Sequence, residues 1–144
     1  MPTRLRIDWE GLIVGFESRS KQITHFFDRE TGDVEQVLEK DAARHEAMSR
    51  DPRYAALPRD EGERKRGDLE EFVAKCEDAG CRKALEAALA SPDFVASYRE
   101  TLLKYPKEEE RFFRFKEHQA LDRAQRWLAS MGIPFRKPLQ EPEP

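Results

Sequence analysis

The stretch "FFDRETGDVEQV" (residues 26–37) decides the fold class, because it places strand-like residues in a chain otherwise rich in helical patterns. A segment with aromatic and β-branched residues begins at Ile23, and a second apolar segment follows over residues 34–38. The Thr31-Gly32 pair between them is a turn signal, since glycine readily adopts a positive φ. We therefore predict a β-hairpin that reverses direction at this pair.

Three carboxylates, Asp28, Glu30 and Asp33, lie within the same stretch. They could hold a cation or form the polar tip of a tight turn. A calcium loop of the EF-hand type needs about twelve residues with oxygen donors at set positions, and Arg29 interrupts the series here. Because Asp and Gly are also typical of turns, we predict a turn and no metal site.

The segments before and after the hairpin predict further secondary structure. Asp8 can cap a short first helix, whose apolar stripe begins at Trp9. Because a lone hairpin is marginal in water, "RYAALP" (53–58) is a candidate for a third strand. Residues 39–67 carry the weakest pattern, and residues 59–67 are predicted to be a charged connection.

The second half of the chain predicts about four helices over residues 68–134. The first would begin at Asp68, with Glu71 completing a variant capping box. The last would begin at Pro106 and end before Gly132. The predicted fold is therefore α+β and mostly helical: an N-terminal helix and hairpin, or a three-stranded sheet, packed on a helical bundle. We predict one domain over residues 1–139, divided into parts 1–58, 59–67 and 68–134, with a flexible tail over residues 135–144.

Composition narrows the functional classes. The 144 residues include 26 basic and 29 acidic ones, for a net charge of −3, so the overall balance does not favour a nucleic-acid binder. Neither a signal peptide nor a membrane span of about 18 apolar residues is recognisable, and we expect a cytoplasmic protein. Cys76 and Cys81 have no second cysteine pair to complete a zinc site, and we predict reduced, structural thiols.

The segment "RFFRFK" (111–116) interleaves cations with aromatic residues. We predict that Phe112 and Phe113 face the core, and Phe115 does not fit the same face. An exposed Phe115, with Arg111 and Arg114 beside it, would mark a contact patch for another protein. The leading hypothesis is therefore a non-catalytic protein-interaction or regulatory module of unknown partner, without a cofactor.

Two alternatives remain open at this point. The first is a regulatory nucleic-acid-binding protein, because helical spacing brings several cations of the last helix near one another. Its candidate residues are Arg111, Arg114, Lys116, Arg123 and Arg126. The second is an enzyme that uses carboxylates such as Asp28, Glu30 or Asp122 for acid–base chemistry, although no nucleophile motif is recognisable. We assign no catalytic residue, and oligomeric state stays open.

The order of these signals resembles the bacterial uncharacterised protein family (UPF) 0158. The resemblance is carried by "IDWEGLIVGFESRSKQITHFFDRETGDV" and, later, by "EEFVAKCEDAGCRKALEAALASPDFVASYRETLLKYPKEEERFFRFKEHQALDRAQRWLASMGI", together about residues 7–134. The chain departs from the family where His25-Phe26-Phe27 precedes Asp28 instead of two Tyr-like aromatics and a Leu. It also has Phe where the family often places a Trp near Phe113. The resemblance implies a compact α+β domain, and it implies no activity.

Overall fold

The computed structural model describes residues 5–18, 20–58 and 63–136, in which six helices and three strands are found. This confirms the predicted α+β, mostly helical class. None of the described helices has both the length and the apolar character needed to cross a membrane. In chain order the elements are α1 Trp9–Glu17, β1 Ile23–Asp28, β2 Val34–Leu38, α2 Ala42–Arg50, β3 Tyr54–Ala56, α3 Glu63–Lys75, α4 Ala79–Leu89, α5 Phe94–Leu103 and α6 Pro106–Ser130.

The chain divides into two compact units. Among the described residues, unit 1 comprises 5–18, 20–58 and 119–136, and unit 2 comprises 63–118. Helix α6 contributes its first half to unit 2 and its second half to unit 1. Whether the two units form one domain, as the sequence suggested, stays a prediction.

The sheet of unit 1 is antiparallel, with strand order β2-β1-β3. The predicted hairpin is confirmed: Gly32 has φ +83°, and its amide donates to the Asp28 carbonyl at 2.8 Å. A Cβ at Gly32 would also lie 2.3 Å from the Arg6 carbonyl oxygen, so backbone conformation and close packing both require glycine. Strand β3 lies within the segment 53–58 and confirms the third strand.

Both faces of β1 are covered, because successive side chains of a strand point to opposite faces. Phe27 packs with Leu12 of α1 and with Leu128 from the second half of α6. Phe26 packs on the other face with Val37 and with Met48 of α2. A strand buried on both faces leaves no solvent side for its remaining residues, so any polar residue in β1 must be buried as well.

Unit 2 is formed by α3, α4, α5 and the first half of α6 around one apolar cluster. Tyr98 is fully buried in this cluster, and its hydroxyl donates to the Leu69 carbonyl at 3.0 Å. Helix α6 begins at Pro106, as predicted. The turn after α6 has Gly132 at φ +70°, and Ile133 donates back to the Leu128 carbonyl at 3.0 Å, so the predicted C-terminal signal is confirmed.

The start of α3 corrects the sequence prediction. The helix begins at Glu63, so residues 63–67 are helical rather than part of a connection, and Asp68 lies inside the helix instead of capping it. Glu, Arg and Lys are good helix formers even without an apolar stripe, and Arg66 supports the turn by pairing with Glu70 at 3.1 Å. The remaining part of the predicted connection, 59–62, and the predicted tail from 137 onward lie outside the described residues.

Candidate functional site: the Phe113 face of α6

The aromatic residues of "RFFRFK" occupy two sides of α6. Phe112 and Phe115 are each 8% exposed, and their rings lie 5.2 and 5.6 Å from the Phe72 ring. Phe113 is 55% exposed. The prediction that Phe113 faces the core is therefore wrong, and Phe115 is buried, so it does not meet the condition for a contact patch. Residues three apart lie about 60° apart around a helix, whereas neighbours lie about 100° apart, so burying the 112/115 pair turns Phe113 towards solvent.

Carboxylates surround this exposed ring. Glu109 and Glu110 lie one turn before Phe113, and Glu117 lies one turn after it. Glu110 and Glu117 are exposed and Glu109 is half-buried. We call these four residues the Phe113 face. Within the part of the chain that the structure describes, no cation forms an ion pair with any of the three carboxylates.

One of the cations beside this face, Lys116, lies over a different ring. Lys116 is three residues after Phe113, and its ammonium lies 5.8 Å from the centre of the Phe112 ring. This cation–π contact directs the charge towards the packed aromatic pair. The Phe113 face therefore combines one large apolar side chain with three carboxylates that form no ion pair among the described residues, while Lys116 and Arg114 lie beside it in sequence.

Arg111, predicted as part of a contact patch, has a structural role. Its guanidinium lies 3.0 Å from the buried carboxylate of Glu108 and 3.5 Å from Glu77, and it donates to the Lys75 carbonyl at 3.3 Å. Its side chain is only 17% exposed. These contacts tie the end of α3 to α6, and a partner could reach Arg111 only by breaking them.

Arg114 is half-buried, and its Nε is buried without a hydrogen-bond partner among the described residues. A buried guanidinium nitrogen without an acceptor is costly, because it has lost its hydration. Arg114 Nε is one of the few buried polar side-chain atoms without a hydrogen-bond partner among the described residues, and no contact of unit 2 explains why it is buried.

The cations of the nucleic-acid alternative are partly neutralised. Arg126 pairs with Asp122 at 2.9 Å, as Arg111 does with Glu108. Paired cations displace fewer counterions from a phosphate backbone, because their charge is already compensated. Arg123 is half-buried and also takes part in an interaction.

The two cysteines are buried free thiols in the core of unit 2. Burial, together with contacts to Glu108 and Cys81, raises the pKa of Cys76 to about 12, and burial also raises the pKa of Cys81. The thiolate is the nucleophile and the metal ligand, so burial keeps both groups in the protonated, weakly reactive form at neutral pH. This supports the prediction of structural thiols.

The acidic hairpin tip is organised around Asp28. Its carboxylate accepts hydrogen bonds from the Glu30 amide at 2.9 Å and from Arg53 Nε and Nη2 at 2.9 and 2.8 Å. The Arg53 guanidinium holds the pKa of Asp28 well below its usual range, although burial works in the opposite direction. No group of three metal-ligating side chains occurs in the described ranges. The tip is a turn stabilised by a bidentate ion pair, and sequence reasoning missed Arg53 because it lies 25 residues away.

His25 was not singled out from the sequence, yet it borders a shallow surface recess, with room for about one water molecule, beside Ser18 and Ser20. The imidazole is 6% exposed, its Nε2 has no hydrogen-bond partner among the described residues, and burial lowers its pKa. The serine hydroxyls instead accept backbone amides of the same loop. A buried, neutral imidazole of this kind adds nothing to the charge of the surface.

These observations define the structural class: this is an α+β protein of two compact units. One unit contains a three-stranded antiparallel sheet, and the other is helical. The chain matches the Uncharacterised protein family (UPF0158) over residues 3–142 and therefore belongs to it. No curated protein and no solved structure gives a significant match.

Proposed function

We propose that this chain is a non-catalytic module that binds another protein through the Phe113 face. The observation that carries the proposal is the 55% exposure of Phe113 on a helix whose neighbouring phenylalanines are buried. Aromatic side chains are enriched at protein interfaces and supply much of their binding energy. The proposal includes a regulatory role in the bacterial cytoplasm, as expected from the sequence.

Charge favours this proposal over nucleic-acid binding. Glu109, Glu110 and Glu117 surround the one exposed aromatic residue of the described part of α6. A base stacked on Phe113 would bring its phosphates close to these carboxylates, and like charges repel. The basic residues named for the alternative include two that already have carboxylate partners.

The test is site-specific photocrosslinking in the native host. A photoreactive phenylalanine analogue replaces Phe113 in the full-length chain, and Leu103 carries the same analogue as a control. Leu103 is 63% exposed and also lies in unit 2, so it reports non-specific encounters. We expect one recurrent protein adduct at position 113 and none in common at position 103.

Two results would contradict the proposal. The absence of any specific adduct at position 113 removes the Phe113 face as an interface. Nucleic acid recovered in place of protein supports the alternative that uses the basic residues.

A further inference from the structure

We infer that the partner presents a basic segment with an apolar side chain at its centre. This rests on the proposed function and specifies the chemistry of the partner. The features that select such a segment are the exposed ring of Phe113 and the carboxylates one helical turn on either side of it.

The spacing of the charges defines what fits. Glu110 and Glu117 are seven residues apart, which is about 10 Å along the axis at about 1.5 Å per residue. Phe113 lies between them, three residues after the first and four before the second. A helical segment with Lys or Arg about one turn before and after an apolar residue reproduces this spacing. Because acidic residues flank Phe113 on both sides, the segment can run in either direction.

The two kinds of contact have separate effects. Desolvation of Phe113 against an apolar side chain supplies most of the affinity, as at other aromatic hot spots. The carboxylates lie at the rim, where opposite charges on a partner accelerate association and reject acidic competitors. Among the described residues, neither Lys116, which lies over the Phe112 ring, nor Arg114 forms an ion pair with these carboxylates.

Leu103 shows that exposure alone does not define the partner. It is more exposed than Phe113, but its charge surroundings differ. Three cations and one carboxylate lie within four residues of Leu103, whereas the same range around Phe113 holds three cations and three carboxylates, and one of those cations, Arg111, is already paired with Glu108. A basic segment would be repelled there. A basic partner should therefore bind at Phe113 and not at Leu103, because the charges around the two exposed residues differ.

The experiment uses three labelled helical peptides of about 15 residues, a length near the minimum for a stable helix. The first has a central Leu with Lys one turn before and after it; the second replaces each Lys by Glu; the third replaces the Leu by Ser. Fluorescence anisotropy with the full-length chain gives Kd at several salt concentrations. We expect the first peptide to bind about tenfold or more tightly than the other two.

Variants of the chain locate the binding. Phe113→Gln should weaken the first peptide about tenfold, whereas Leu103→Gln should leave its Kd unchanged. The double variant Glu110→Gln/Glu117→Gln should weaken binding and reduce its salt dependence. The matched control Glu86→Gln/Glu100→Gln removes the same charge from exposed positions of α4 and α5, and it should keep both the Kd and the salt dependence of the parent chain.

Several outcomes would overturn the inference. They are failure of the first peptide to bind at low salt, tighter binding of the acidic peptide, and equal weakening by the two double variants. The crosslinking experiment separates this inference from the proposed function. If the adduct at position 113 maps to an acidic or uncharged segment, including one from a second copy of this chain, the function stands and the inference fails. If there is no adduct, both fail.

Discussion

Strand β1 and helix α6 both depart from the usual rule that apolar side chains are buried and polar ones exposed. The strand buries the polar side chains of Thr24, His25 and Asp28, while the helix exposes Phe113. Most of the strand's anomaly has an internal explanation: Thr24 Oγ1 lies 3.0 Å from His45 Nε2, and Asp28 pairs with Arg53. Contacts within unit 2 do not explain the exposed ring. The buried polar groups therefore concern stability, and the exposed aromatic residue is the one that points to a partner.

Substitution of Phe115 and of Phe113 tests most directly whether one is buried and the other exposed. Phe115→Ala should lower the free energy of unfolding by about 3–5 kcal/mol, because it removes a buried ring from the aromatic cluster with Phe72. Phe113→Ala should change it by about 0.5 kcal/mol or less, as is usual for an exposed site. Urea unfolding of the two variants and the parent measures both effects. A comparable loss in both would mean that Phe113 is packed, and the binding proposal would lose its basis.

The ion pair of β1 gives the next largest effect. Asp28→Ala should lower the free energy of unfolding by about 2–4 kcal/mol, because charge-assisted hydrogen bonds from Arg53 and from the turn are lost. Asp28→Asn retains an acceptor for the Glu30 amide and should lose less. Thermal unfolding at neutral pH ranks the variants. Equal loss in both would assign the whole effect to the charge rather than to the turn.

The same pair predicts the response to acid. The pKa of Asp28 is lowered in the folded state, so the stability it contributes is present above the unfolded value, about 3.9, and is lost as the pH falls below that value. Arg53→Gln removes the main cause of the shift and should flatten this acid dependence. An unchanged profile would show that other carboxylates control acid unfolding.

Local signals explain how much of the fold the sequence predicts. Asp8 caps α1 by accepting the Gly11 amide at 3.0 Å, and Gly32 and Gly132 have the positive φ that their turns require. Each signal acts within a few residues, so it can be recognised without tertiary information. The start of α3 was missed because residues 63–66 are all charged and carry no apolar stripe, yet Glu, Arg and Lys readily form helical turns.

Within the segment 111–116, the sequence analysis assigned the wrong phenylalanine to the exposed side of the helix. Phe112, Phe113 and Phe115 spread over about 160° of the helix circumference, which is wider than the apolar stripe of about 100° that a helix needs to bury, so periodicity alone allows more than one choice of buried face. The choice depends on Phe72, 40 residues earlier, against which Phe112 and Phe115 pack. Contacts over such separations, like that between Asp28 and Arg53, carry no local signal.

The smallest effect concerns His25, the buried polar residue of β1 whose Nε2 has no partner among the described residues. Burial lowers its pKa, so the unfolded chain binds a proton more readily than the folded one. The free energy of unfolding should therefore decrease as the pH falls below about 6.5, the ordinary value for histidine. His25→Leu should reduce this slope between pH 7 and pH 5 in urea unfolding, while His45 and His118 remain as an internal background. If the slope is the same in both proteins, the charged imidazole must gain an acceptor, and His25 would then resemble Asp28 as a buried group satisfied within its own unit.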